Sequence, residues 1–113
     1  MKIQEFVSNY IMHDSLIESI EKESNNTTII MVINFAFWMQ KSYEENDPET
    51  GLLKVIFHNV SEFSCPDDLP LSEISILKTS VENGKVHFAI LNDMTDDYYD
   101  IYITATDVEV QSI

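Results

Sequence analysis

The chain has 113 residues, 44% of them apolar, which suits one domain with one core and no need of disulfide or metal staples. Twenty acids face six lysines, with no arginine, for a formal net charge of −14. Such a surface repels phosphate backbones and anionic headgroups and lacks the guanidinium that reads guanine edges, which excludes nucleic-acid and anionic-membrane partners.

Residues 3–11 place Ile3, Phe6, Val7, Tyr10 and Ile11 at helical spacing, predicting one short amphipathic helix that lies on a sheet. Residues 12–15 form its exit. A first strand follows over 16–22, where Ile17 and Ile20 stand three apart and allow a bulge or a short helix. Asn25 and Asn26 signal a turn.

Residues 27–40 are the longest β-branched and aromatic run. Thr27, Ile29, Met31, Ile33, Phe35, Phe37 and Met39 share one face; Thr28, Ile30, Val32, Asn34, Ala36 and Trp38 share the other. Both faces are largely apolar, so this strand is expected to be central and covered on both sides. The second cover would be the helix, another sheet or another subunit. The unbroken apolar part, 29–39, includes Asn34 and falls well short of the roughly 20 residues that a membrane helix needs. The first fourteen residues carry one lysine, no long apolar segment and no small-residue cleavage pattern. A soluble cytoplasmic protein is expected.

A polar loop over 41–51 ends in Gly51, and a strand over 52–60 sets Leu53, Val55 and Phe57 against Lys54, Ile56 and His58. Residues 61–72 form a long connection with two prolines. A strand over 73–81 turns tightly at Glu82-Asn83-Gly84 into a strand with Val86, Phe88 and Ile90 inward and Lys85, His87 and Ala89 outward. Residues 92–100 are an acid-rich turn. In the last strand, Ile101, Ile103 and Ala105 share one parity and Val108 and Val110 the other, a switch that a β-bulge near Thr106 and Asp107 would produce. The expected fold is mainly β: a short N-terminal helix, then about six antiparallel strands, as a sandwich or a half-open barrel.

His13, Asp14 and Ser15 stand side by side and contain the residue types of a hydrolase triad. A triad needs three converging side chains, whereas neighbours in an extended chain point to opposite faces. No Gly-x-Ser-x-Gly elbow exists. The three residues are read instead as the helix-to-strand junction. There Asp14 and Ser15 would accept backbone N–H bonds, and His13 would pin a carbonyl or Asp14. No catalytic residue is assigned.

The histidines, His13, His58 and His87, lie in separate segments without metal-ligand spacing, and no metal or other cofactor is expected. A His/Asp metal site or a small enzyme would require the fold to bring them together. Cys65 is the one cysteine and sits among acids, which raise a thiol pKa and disfavour a nucleophilic role. The acid-rich 93–100 segment lacks the calcium-loop pattern. Trp38 is the candidate anchor of a homodimer should the even-numbered face of the long strand lack an internal cover.

The chain also resembles a group of small bacterial domains that open with a short helix and a His-Asp-[Ser/Ala] junction, here His13, Asp14 and Ser15. An Ile-x-x-Ile pair (Ile17, Ile20), a Val-x-Phe-x-x-Val strand (Val55, Phe57, Val60) and a closing Ile-x-Ala-x-x-Val-x-Val (Ile103, Ala105, Val108, Val110) complete the likeness. Some of these families are grouped with immunity proteins of polymorphic toxin systems. The resemblance implies a non-catalytic binder that covers a toxin's active site. An acidic surface suits a basic partner. Glu44, Glu45, Asp47, Asp96 and Asp97 are the expected contacts, and a structural homo-oligomer is the alternative.

Overall fold

The computed structural model describes residues 1–23, 27–70 and 72–113, so the turn expected at Asn25 and Asn26 lies outside the described residues. Helix α1 spans Ile3–Asn9. The strands are β1 (Leu16–Lys22), β2 (Ile29–Ala36), β3 (Thr50–His58), β4 (Glu62–Ser64), β5 (Ile74–Glu82), β6 (Lys85–Asn92), β7 (Tyr98–Thr104) and β8 (Asp107–Ser112). All pair antiparallel in one open sheet of order β4-β7-β6-β5-β1-β2-β3-β8. The fold is mainly β, with eight strands where the sequence suggested about six.

The order has an internal two-fold pattern in which β1–β4 and β5–β8 take equivalent places. β1-β2-β3 and β5-β6-β7 are two meanders that meet at the pair Leu16 and Ser75. Each meander then sends its next strand to the outer edge of the other, β4 onto β7 and β8 onto β3. Both first strands carry an irregularity near the shared start, between Ile17 and Ser19 in β1 and between Ile76 and Lys78 in β5. The extra residue of a bulge adds local twist, which suits a sheet that must bend here.

Strand exchange forces the sheet to curl. β7 and β8 are joined by residues 105–106 alone. Three peptide steps reach about 11 Å, whereas six strand spacings in a flat sheet span roughly 29 Å. The two edges are therefore folded back towards each other. Backbone bonds brace this corner, Ser61 N–H donating to Thr104 O at 2.9 Å and Thr106 N–H to His58 O at 3.2 Å. Asn59 Nδ2 donates to Thr106 Oγ1 at 3.0 Å.

The corner corrects two expectations. The parity switch between Ala105 and Val108 marks a chain that leaves one edge of the sheet and joins the other, rather than a bulge in a single strand. The connection 61–72 contains the edge strand β4, whose Phe63 pairs with Ile103.

Period-two alternation sets the core. Ile29, Met31, Ile33 and Phe35 of β2, Leu53, Val55 and Phe57 of β3, and Val86, Phe88 and Ile90 of β6 are buried. They line the concave side, where α1 lies, with contacts to β5, β6 and β8. Its buried stripe is Ile3 and Phe6, with Val7 and Tyr10 partly buried. Phe6, Phe57 and Phe88 meet at centroid distances of 5.8, 6.4 and 6.3 Å, so helix and both meanders share one aromatic contact.

The long apolar run is not one strand. β2 ends at Ala36, and Phe37–Met39 form a 3-10 turn that takes Phe37 and Met39 off the face of Phe35. The helix is not the second cover expected over the even-numbered face. Ile30, Val32 and Asn34 are half-buried, and the helix packs on the other side of the sheet.

Candidate functional site: acidic loops and the helix-to-strand junction

His13 and Asp14 form the turn between α1 and β1. Asp14 takes a left-handed conformation, φ 67°, a region that Asp tolerates better than most residues. Its N–H donates to Ile76 O at 3.0 Å, and Ile76 N–H donates to Ser15 O at 2.8 Å, extending the contact between the two meanders. Ser15 is fully buried, and its Oγ accepts Ala36 N–H at 2.9 Å, the last amide of β2. His13 Nδ1 lies 2.8 Å from Leu77 O, and its Nε2 lies 3.5 Å from Asp14. Ser15 turns inward to Ala36 while His13 and Asp14 face each other at the surface, so the three side chains do not converge on one point; the Asp14 carboxylate, expected to accept a backbone N–H, meets His13 instead.

Gln40 fixes the neighbouring segment. Its Oε1 accepts Ile11 N–H at 3.0 Å while its Nε2 donates to Ile11 O at 2.7 Å and to Ala36 O at 3.0 Å. One side-chain amide replaces a strand partner for Ile11. Nothing in the local sequence marks this role, because Gln40 and Ile11 are joined only by the tertiary fold.

The acidic candidates lie on two loops. Glu44, Glu45 and Asp47 belong to the β2–β3 connection; Asp96 and Asp97 belong to the β6–β7 turn. Each loop joins the second and third strands of its own meander, so they hold equivalent places in the two halves. The structure brings Glu44 and Asp47 together and leaves Asp96 and Asp97 in the other half. Glu44 N–H donates to Asp47 Oδ2 at 3.0 Å, Asp47 N–H donates to Glu44 O at 2.9 Å, and Tyr43 Oη donates to Asp47 O at 3.2 Å. In the other turn, Asn92 Oδ1 accepts the N–H groups of Met94 and Thr95 at 2.9 and 3.2 Å, and Asp96 has φ 62°. All five acids are exposed, and among the described residues none of them forms an ion pair. Trp38, in the 3-10 turn, is 45% exposed.

The histidines do not converge. His58 Nε2 contacts Glu109 at 3.1 Å. His87 lies between Glu82 at Nδ1 and Asp100 at Nε2, 2.7 Å away, and stacks on Tyr102 at 4.5 Å. Counting Glu82 into the turn hides this contact in the sequence; a two-residue turn at Asn83-Gly84 sets Glu82 opposite Lys85 and places His87 diagonal to it on one face. Among the described residues no group of three His, Cys, Asp or Glu side chains is arranged to hold a metal ion. Partial burial, then the Asp67 carboxylate, pushes the Cys65 thiol up from its ordinary pKa, which keeps it a thiol at neutral pH.

Two carboxylates at the start of β8 and on its outer surface are pulled below their ordinary range. Asp107 accepts a hydrogen bond from the Met1 α-ammonium at 2.9 Å, and Glu109 accepts from Gln111 and then from His58. A depressed folded-state pKa gives stability that is present above the unfolded value, about 4, and lost as pH falls through the folded one. We expect the paired variant Asp107→Asn/Glu109→Gln to be less stable than the parent at pH 6 and to approach it by pH 3. Urea midpoints at both values check this; a constant gap would sink it. The reading is a difference, because acid also relieves repulsion among the other carboxylates.

The fold and these turns define a curled antiparallel sheet plugged by a helix, with carboxylates that have no ion-pair partner among the described residues held on hydrogen-bonded loops. No protein family, no curated protein and no solved structure matches this chain. No helix of the described residues is long and apolar enough to cross a membrane.

Proposed function

We propose that the protein is a non-catalytic protein-binding domain that meets a basic protein partner through its acidic loops. Its specific form is an immunity-type inhibitor that covers the active site of a basic bacterial toxin. The observation that carries this reading is the absence, among the described residues, of any ion pair on Glu44, Glu45, Asp47, Asp96 and Asp97. Carboxylates held on hydrogen-bonded turns without a cation raise the local negative potential, and a partner that supplies the cation gains both encounter rate and specificity. The net charge of −14 extends that field beyond single contacts.

A second reading, a structural homo-oligomer, is favoured by the partly exposed Ile30 and Val32 on the even-numbered face of β2 and by the exposed Trp38. One experiment separates the two. In a pull-down from the source cell, a basic protein held at low salt and released by moderate salt supports the inhibitor. Inhibition of that protein's activity would establish it. A clean dimer by solution mass, with no partner at either salt, supports the oligomer and overturns the first reading.

A further inference from the structure

Within the β2–β3 loop lies a cleft of about 300 Å³, lined by Phe37, Gln40, Ser42, Tyr43, Asp47 and Pro48. Its volume is at the lower limit of small-molecule sites, the scale of one inserted group rather than of a large ligand. The walls are set in advance. The Phe37 ring packs edge-on against Phe35 at 5.4 Å and lies over Gly51, where a Cβ would stand 2.6 Å from it, so only glycine leaves the ring in place. Gln40, on the same cleft, is fixed by its three hydrogen bonds, and Tyr43 is held to the backbone of Asp47. Asp47 Oδ2 accepts the Glu44 amide, and among the described residues Oδ1 has no partner. Residues 41–49 carry Glu44, Glu45, Asp47 and Glu49 against the single Lys41.

A lining of two aromatic rings and a proline, with the acidic Asp47 among its residues, suits a long cationic side chain with an apolar stem. Arginine fits better than lysine, because its planar guanidinium stacks on rings and pairs with a carboxylate through two parallel N–H bonds. We propose that this cleft receives an arginine side chain of the basic protein partner. The inference rests on the partner reading above and goes further by naming the anchor and its seat.

The test uses the whole protein, labelled with nitrogen-15, and two probes, nona-arginine and nona-lysine. We expect nona-arginine to bind about tenfold more tightly than nona-lysine, with the largest amide shifts in residues 37–49. Asp47→Asn keeps an oxygen for the Glu44 amide, so the loop holds its shape, and this variant should lose the preference for arginine. Tyr43→Ala should lose it as well. Asp96→Asn/Asp97→Asn should weaken both probes alike and keep the preference. Equal binding of the two probes, with shifts spread over many acids, overturns the cleft and leaves the acidic-surface reading standing. Binding of neither probe at low salt overturns both.

Discussion

Phe6→Ala should cost about 3–5 kcal/mol, the range for truncating a buried aromatic ring. Phe6 is fully buried, and its ring touches Phe57 of one meander and Phe88 of the other. Truncation therefore removes the contact that holds the helix in the concave side and opens a cavity between the halves. A domain of this size is stable by about 5–15 kcal/mol, so the loss is a large fraction of the total. The melting temperature should fall by roughly 12–20 °C. Phe6→Leu keeps most of the volume and should cost less than about 1.5 kcal/mol. Urea and thermal unfolding of the three proteins decide it. A Phe6→Ala cost under about 1 kcal/mol would mean that α1 is not part of the core.

The second large effect falls on Ser15. Removing its hydroxyl leaves the N–H of Ala36 without a partner at a site where Ala36 is 1% exposed. An orphaned buried donor costs about 1–3 kcal/mol, so Ser15→Ala should lower stability by that amount. Its neighbours behave differently. His13 is exposed and gives up one hydrogen bond, so His13→Ala should change stability by less than about 1 kcal/mol. At Asp14, φ is 67°, which glycine adopts without penalty, so Asp14→Gly should be close to neutral. Urea midpoints for the three variants should thus separate Ser15 from the other two. If they instead left stability unchanged and abolished some common activity, the junction reading would be wrong.

Much of the fold was legible because it depends on period. Ile3 and Phe6 follow helical spacing, and the inward residues of β2, β3 and β6 follow strand parity. Both patterns record local geometry, and burial acted on each in the same way. What was hidden depends on partners far away in the chain. β4 is three residues long, and nothing local shows that Phe63 will lie beside Ile103. The parity switch before Val108 was visible, but a bulge and a crossing to the opposite edge leave the same mark in sequence. Phe37 looked like a continuation of β2, whereas the chain turns at Ala36 and seats its ring over Gly51. The site divides in the same way. Acidic residue types and the junction could be read directly. Gln40 and the cleft wall could not, since Gln40 finds Ile11 only through the tertiary fold and the wall exists only once residues 37–48 fold back on themselves.

The exchange of edge strands also bears on how the chain is made. During synthesis β1, β2 and β3 emerge first, but the outer side of β3 finds its partner only when residues 107–112 leave the ribosome. Until then Leu53–His58 stand as an open edge, the kind of backbone that invites wrong pairing with another nascent chain. The later meander has no such wait, because β4 is already made when β7 appears. The first half is thus built before the second but completed after it, and the six residues of β8 act as the latch that ends its exposure.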